Sequence, residues 1–279
     1  MSNEFARDGV DVAWCPGCGN FGILKLMEEV LSELGRSRRE VVIVSGIGQA
    51  AKTPYYIDAN MFCGLHGRAL PLATAVKTAN PGLCVVAEGG DGDMYGEGGN
   101  HFMHAVRRNV NLVHVVHNNM VYGLTKGQAS PTSQRGFATS VQRDGVINEP
   151  FNPIAVALSL NASFVSRVFV GNREHAKMVL KAAFEHPGYA LVDIFQPCVT
   201  FNPVNTYEWF REHTYELDGS GTRERIEALR LAFETDPMPL GIFRREERPT
   251  FEACIRRSST PLYQLQHDMR LLQRHFDRL

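Results

Sequence analysis

The sequence contains no run of about 20 consecutive apolar residues, which a membrane-spanning helix would require. Its first residues lack the cationic segment and apolar core of a secretory signal, so we expect a cytoplasmic protein without a membrane anchor. Neither sign of charge is in excess, because 29 lysines and arginines stand against 30 aspartates and glutamates. This balance argues against a nucleic-acid-binding protein. Hydrophobic residues make up 44% of the chain, which argues against disorder and suits a buried core.

Cysteine is also scarce, with six in 279 residues, and this excludes a scaffold held together by disulfides. Cys15 and Cys18 nevertheless form a CxxC pair. In a chain without an export signal, this spacing indicates a metal site or a pair of redox-active thiols. Cys84 and Cys254 are interpreted as small buried hydrophobic residues.

Four short, continuous apolar runs predict strands that are buried on both faces, as in a parallel sheet. They cover residues 41–45, 83–87, 112–116 and 190–195. Amphipathic patterns predict helices over residues 21–34, 70–77, 101–108 and 173–186. The alternation of strands and helices predicts a doubly wound, mostly parallel α/β sheet.

The chain changes character after about residue 200, where arginine, glutamate and proline become more frequent. We interpret residues 1–200 as one α/β domain. Residues 201–279 are expected to form a helical and irregular arm that packs on this domain or on a partner.

A glycine-rich stretch, residues 89–93 (GGDGD), directly follows the second predicted strand. Glycines at the carboxyl end of a parallel strand let a phosphate approach the backbone closely. A diphosphate would repel the carboxylates there unless a divalent cation such as Mg²⁺ lay between them. The next predicted strand ends in residues 117–119 (HNN), and this combination indicates a thiamine diphosphate site. The alternative is a pair of turns rich in asparagine and aspartate.

Eight motifs resemble, in the same order, the β subunit of the 2-oxoacid:ferredoxin oxidoreductases. They are WCPGCGN (14–20), SGIG (45–48), LHGRALPLATAVKTANP (65–81), GGDGD (89–93), GGNHF (98–102), RRN (107–109), NNMVYGLTKGQASPTS (118–133) and QPCVTFNP (196–203). The resemblance runs from about residue 12 to the C-terminus. It implies the thiamine diphosphate-binding fold and an α subunit as the partner that supplies the activating glutamate.

The implied reaction removes CO₂ from a 2-oxoacid, transfers the acyl group to coenzyme A and passes electrons through an iron–sulfur cluster to ferredoxin. The reverse reaction fixes CO₂. Leu124 and Lys126 lie in the segment that passes the expected reaction centre. A lysine there could pair with the distal carboxylate of 2-oxoglutarate, which favours that substrate, although a solvated surface lysine is the alternative.

The resemblance also assigns the cofactor ligands. It implies that Mg²⁺ is bound by the Asp91 carboxylate, the Asn119 side chain and the backbone carbonyl of Val121. The positions implied to line thiamine diphosphate are Ile47, Gly48, Gln49, Ala50, His66, Gly90, Asp91, Gly92, Asp93, Asn119, Gly123 and Leu124. Outside its motif, His66 would be interpreted as a buried, hydrogen-bonded histidine.

For the implied [4Fe-4S] cluster, Cys15, Cys18 and Cys198 occupy ligand positions of the family. The family's third cysteine follows SGIG directly, and here that position is Gln49. Three interpretations stay open. Cys63 could replace the missing ligand, a non-cysteine ligand or loss of one iron could accommodate the change, or the site could be empty. We expect a cluster, with Cys63 as the candidate fourth ligand.

Two other functions remain open on the sequence alone. One is a non-oxidative thiamine-dependent decarboxylase or synthase of the acetolactate type, although such enzymes carry all their thiamine-binding domains on one longer chain. The other is a non-enzymatic iron–sulfur or zinc scaffold built on the same three cysteines.

Overall fold

A computed structural model describes residues 4–219, 221, 223–255, 260–265 and 269–278. These residues form one eight-stranded sheet. Its strands are β1 (Val41–Ser45), β2 (Asn60–Cys63), β3 (Cys84–Gly90), β4 (Leu112–Asn118), β5 (Phe164–Phe169), β6 (Tyr189–Phe195), β7 (Thr214–Glu216) and β8 (Met238–Arg245). Their order across the sheet is β2-β1-β3-β4-β6-β5-β8-β7. The first six strands in this order are parallel to one another, whereas β8 pairs antiparallel with β5 and parallel with β7.

Helices cover both faces of this sheet. They are α1 (Asn20–Glu33), α2 (Ala69–Ala79), α3 (Gly99–Arg108), α4 (Pro153–Ser159), α5 (Arg173–Glu185), α6 (Tyr207–Glu212), α7 (Arg225–Ala232), α8 (Phe251–Ile255) and α9 (Met269–Phe276). Apolar residues of α1 and α5 pack with Val86 and Val115 on one face. Those of α2, α3, α4 and α7 pack with Val44 and Val85 on the other. The predicted doubly wound, mostly parallel α/β sheet is therefore confirmed.

The C-terminal segment differs from its prediction. Helices are present after residue 200, but β7 and β8 add two strands to the main sheet where we expected only helices and irregular chain. Pro239 and Gly241 lie within β8 and obscure its strand pattern, because both residues are disfavoured in strand interiors. β8 tolerates them where the regular parallel sheet ends, and its pairing with β5 is interrupted by a register shift.

Among the residues that the structure describes, no helix is long and apolar enough to cross a membrane.

Candidate active site

A cavity of about 360 Å³ lies at the carboxyl ends of β1, β3 and β4. Because these strands are parallel, the loops that follow them meet at one edge of the sheet. The cavity is lined by every residue that the sequence assigned to thiamine diphosphate or Mg²⁺, namely Ile47, Gly48, Gln49, Ala50, His66, Gly90, Asp91, Gly92, Asp93, Asn119, Val121, Gly123 and Leu124. Lys126 is exposed and lies outside the lining, next to Thr125, which belongs to it.

Asp91 is the buried carboxylate of this cavity. Its Oδ2 accepts hydrogen bonds from Ser130 Oγ and Thr132 Oγ1, each at 2.5 Å. Burial raises the pKa of Asp91 to about 6, although the two hydroxyl hydrogen bonds act to lower it. A divalent cation would favour the charged carboxylate in this setting. Asn119 Oδ1 accepts a hydrogen bond from the Val121 N–H at 3.0 Å, so the other two proposed ligands share one turn. The donor set fits Mg²⁺, which prefers oxygen ligands.

Asp93 connects two loops of the cavity wall. Its Oδ1 accepts hydrogen bonds from the backbone N–H groups of Ile47, at 3.1 Å, and Gly67, at 2.8 Å. Position 46 must be glycine, because a Cβ there would collide with the Asp93 carboxylate. Asp93 therefore fixes the loop after β1 against the loop before α2, in addition to lining the cavity.

Two ionisable residues of the cavity escaped the sequence analysis, Glu97 and Tyr122. Glu97 Oε2 lies 3.3 Å from His66 Nδ1 and accepts a hydrogen bond from Tyr122 Oη at 3.1 Å. His66 Nε2 lies 3.6 Å from Asp93 Oδ1. Burial, and then Glu97, raise the pKa of Tyr122. The one signal available in the sequence was that Glu97 lies four residues after the glycine-rich stretch 89–93.

The remaining lining residues missed by the sequence are Thr125 and Gln128. The hydroxyls of Ser130 and Thr132 were also missed, although both lie in the SPTS motif that carried the family resemblance. Their role depends on the long-range contact with Asp91, which spacing along the chain does not reveal.

Cys15, Cys18 and Cys198 lie on two loops in contact. The Cys18 N–H donates to Cys15 O at 3.0 Å, and the Gly19 N–H donates to Pro197 O at 3.4 Å. Burial, with smaller contributions from the neighbouring Cys198 and Cys15, raises the pKa of Cys18 to about 11, although a backbone hydrogen bond from Asn20 acts to lower it. Such a thiol becomes a thiolate only where a cation, such as a bound metal group, compensates its charge.

The grouping of metal-binding side chains limits the kind of metal site that the three cysteines can form. In the described part of the chain, no three His, Cys, Asp or Glu side chains are grouped so as to hold a single metal ion. A cubane cluster binds each thiolate at a different iron, and its ligands therefore stand further apart than those of one ion. The described cysteines therefore do not form a site for a single metal ion.

Cys63 lies elsewhere. It ends the edge strand β2, where its Sγ is 3.5 Å from Ser45 Oγ and it interacts with Tyr55. Four strand spacings separate β2 from β6, the strand that leads to Cys198. At about 4.8 Å each, they amount to roughly 19 Å. Cys63 therefore lies on a strand well separated from β6, and its role as the fourth ligand stays a prediction.

Family models match most of the chain. The C-terminal TPP-binding domain of thiamine pyrophosphate enzymes matches residues 41–194. The C-terminal part of the pyruvate ferredoxin oxidoreductase β subunit matches residues 198–259. The first match contains β1 to β6 apart from the last residue of β6, and hence the strands whose ends form the cavity.

Named relatives agree with these matches. The 2-oxoacid:ferredoxin oxidoreductase subunit β of a Sulfolobus species is 42% identical over 266 residues, which cover 90% of this chain and 87% of the relative. The 2-oxoglutarate synthase subunit KorB of Archaeoglobus fulgidus is 33% identical over 241 residues, covering 85% and 86%.

A solved structure is similar over nearly the whole fold. It is the 2-oxoglutarate:ferredoxin oxidoreductase from Magnetococcus marinus with 2-oxoglutarate, coenzyme A and succinyl-CoA bound. The TM-score is 0.89 at 36% identity, and the match covers 91% of this chain and 88% of that chain. With a glycine-lined cavity at the carboxyl edge of the sheet and relatives of this kind along its length, the chain belongs to the thiamine diphosphate-binding β subunits of the 2-oxoacid:ferredoxin oxidoreductases.

Proposed function

We propose that this chain is the β subunit of a 2-oxoglutarate:ferredoxin oxidoreductase that binds Mg²⁺ and a [4Fe-4S] cluster as well as thiamine diphosphate. With an α subunit it converts 2-oxoglutarate and coenzyme A to the acyl-CoA and CO₂ and reduces ferredoxin, or catalyses the reverse reaction. The observation that carries the proposal is the cavity lined by all the assigned cofactor positions, with a buried carboxylate, Asp91, beside them.

Each part of the cavity has a proposed role. Asp91, the Asn119 side chain and the Val121 carbonyl hold Mg²⁺, and Gly90 and Gly92 leave room for the diphosphate. When bound, thiamine diphosphate supplies the carbanion that attacks the keto carbon of the substrate. His66 lies between the Asp93 and Glu97 carboxylates, where it can hold or release a proton on the substrate side of the cavity.

The proposal requires an α subunit, because the family pattern places the glutamate that activates the aminopyrimidine on that partner. Ile47 and Leu124, which line the cavity, leave 43% and 45% of their surfaces exposed. Large apolar side chains at an open cavity are suited to burial against another protein. We propose that the α subunit closes the cavity over them.

The substrate assignment rests on two supports. The Archaeoglobus relative and the Magnetococcus structure are both named for 2-oxoglutarate. Lys126 follows two residues that line the cavity, Leu124 and Thr125, and its exposed ammonium group can turn toward a substrate carboxylate at the cavity rim.

The proposal is tested on the complex of this chain with its α subunit. We expect Asp91→Asn to weaken thiamine diphosphate binding at limiting Mg²⁺ more than tenfold and to abolish reduction of ferredoxin by 2-oxoglutarate. Asp144→Asn, at an exposed position, is the matched control and should leave both unchanged. Retention of stoichiometric thiamine by the Asp91 variant would contradict the site assignment.

A further inference from the structure

Gln49 lies between the cavity and the cysteine loop, residues 15–18. It belongs to the cavity lining. Its backbone carbonyl accepts a hydrogen bond from Trp14 Nε1 at 2.9 Å, and Trp14 immediately precedes Cys15. The cysteine loop is thereby fixed to the turn that follows β1. Residue 49 thus adjoins both the cavity and the cysteine loop.

The amide oxygen of Gln49 has no partner within the described structure. Its Oε1 is buried from solvent and accepts no hydrogen bond. Leaving a buried acceptor unpaired is costly, so such an atom normally faces a donor or a cation that the protein binds. Gln49 Cγ lies 4.0 Å from the point where a Cβ on Gly123 would stand. The side chain therefore extends toward the 121–123 loop, and Cys198 packs against the apolar cluster of Val121, Phe137 and Val146.

No other cysteine of the described residues replaces the thiolate that the family pattern expects at position 49. Cys63 is four strand spacings from β6. Cys84 is the first residue of β3 and therefore lies at the amino ends of the strands, whereas the cavity lies at their carboxyl ends. Cys254 lies on α8, whose Glu252 contacts the Asn111 N–H just before β4, again at the opposite edge. Three thiolates therefore remain for a cluster with four irons.

We propose that the Gln49 amide oxygen binds the fourth iron of the cluster held by Cys15, Cys18 and Cys198. This inference rests on the proposed function, because it assumes that the cluster is present. A neutral amide oxygen holds iron less firmly than a thiolate, which is the softer and charged ligand. The cluster would accordingly have one labile iron.

Loss of the labile iron is a defined redox reaction. One-electron oxidation by added ferricyanide converts [4Fe-4S]²⁺ to [3Fe-4S]⁺, releases Fe²⁺ and transfers the electron to the oxidant. The three thiolates keep their irons, and Gln49 loses its ligand role. Excess Fe²⁺ with dithionite as the electron donor reverses the reaction.

The test uses the complex with the α subunit, purified without oxygen and treated with one equivalent of ferricyanide. For the wild type we expect loss of about one iron in four and the EPR signal of a [3Fe-4S]⁺ cluster. Gln49→Cys should keep all its iron, because it restores a fourth thiolate. Gln49→Glu should lose iron several-fold more slowly than the wild type, since a carboxylate is charged. Cys63→Ser, the matched control, should behave as the wild type does.

Two results would overturn the inference. One is a wild-type cluster that keeps its iron as firmly as the Gln49→Cys cluster does. The other is loss of the cluster in Cys63→Ser, which would make that thiol the ligand. Thiamine content, measured on the same samples, separates these failures from failure of the proposed function. A complex that binds thiamine but contains no iron would contradict the cluster assignment and this inference. It would remain consistent with the proposed thiamine site.

Discussion

Thr132 illustrates how a single hydroxyl shapes the site. Its Oγ1 lies 2.5 Å from Asp91 Oδ2 and 2.9 Å from Asn118 Oδ1. Ser130 approaches the same Asp91 oxygen. The two hydroxyls hold the carboxylate in one orientation, so that a bound cation meets a preorganised ligand.

We predict that Thr132→Val weakens binding of Mg²⁺ and thiamine diphosphate about tenfold. The change keeps the side-chain shape but removes a donor to Asp91, which raises the free energy of its charged form. Equilibrium titration of the complex with thiamine diphosphate at fixed Mg²⁺ measures the effect. Thr235→Val, at an exposed position, should bind as the wild type does. Unchanged affinity in the Thr132 variant would show that the hydroxyl is dispensable.

Lys126 gives a prediction on specificity. We expect Lys126→Ala to raise KM for 2-oxoglutarate about tenfold or more and to leave KM for pyruvate nearly unchanged, because pyruvate has no distal carboxylate to lose. Steady-state reduction of ferredoxin with each substrate provides the measurement. Lys126 has a φ of 72°, so Lys126→Gly serves as a second variant without backbone strain. Equal effects on the two substrates would contradict a role in substrate recognition.

At the scale of elements, Asn109 joins the end of α3 to three other parts of the chain. It adopts the left-handed conformation, with a φ of 54°. Its Oδ1 accepts hydrogen bonds from Ser163 Oγ and the Tyr189 N–H, while its Nδ2 donates to the carbonyls of Arg248 and Pro249. One side chain thus connects α3 with the residue before β5, the start of β6 and the segment after β8.

We predict that Asn109→Ala lowers the thermal unfolding midpoint of the complex by roughly 5–10 °C, because it removes buried hydrogen bonds and places alanine at a positive φ. Asn109→Gly relieves the backbone strain alone and should lower the midpoint less. Differential scanning calorimetry of both variants checks the order. If the two variants were equally stable, the left-handed conformation would contribute nothing.

The sequence predicted the central strands well and the outer ones poorly. β1 has the predicted bounds, and predictions overlap β3, β4 and β6, because these strands are buried and read as unbroken apolar runs. β2 was missed because all four of its residues are exposed. β5 was missed because it contains Arg167, whose Nε donates to Asp193 Oδ2 of β6 at 3.1 Å. A buried charge whose partner lies far along the chain looks like a surface residue in the sequence.

The site shows a similar division. Motif residues at the ends of strands could be placed in one cavity, since parallel strands bring their carboxyl ends together. Glu97, Tyr122 and the hydroxyls beside Asp91 could not, since each acts through a tertiary contact. The separation of β2, which carries Cys63, from β6 depends on strand order, and apolar runs carry no information about that order.

At the scale of the whole molecule, the core contains a histidine that responds to pH. His114 of β4 is fully buried, with Nδ1 2.6 Å from Tyr189 Oη, and its Nε2 has no hydrogen-bond partner among the described residues. Burial lowers the pKa of His114 to about 3. The unfolded chain, with a histidine pKa near 6.5, binds the proton more readily. Stability from this residue is therefore present above about pH 6.5 and is lost as the pH falls toward 3.

We predict that His114→Gln makes the unfolding temperature less sensitive to acid. Between pH 7 and pH 5, His114 removes about 2 kcal/mol of stability from the wild type, and glutamine, which does not titrate, removes none. Asp91 acts in the opposite direction, since its raised pKa favours the folded state at low pH, so the variant is compared with the wild type at each pH. Identical pH profiles would contradict this role of His114.

The contact between Cys18 and the 196–199 segment joins residues that are synthesised at very different times. Residues 15 and 18 leave the ribosome early, whereas Cys198 is translated 180 residues after Cys18. At about 5–20 residues per second, the first two thiols wait roughly 9–36 s for the third. During that interval the nascent chain presents an uncompleted dithiol to the cell. Assembly of the proposed cluster therefore follows translation of Cys198 and of the second half of the sheet.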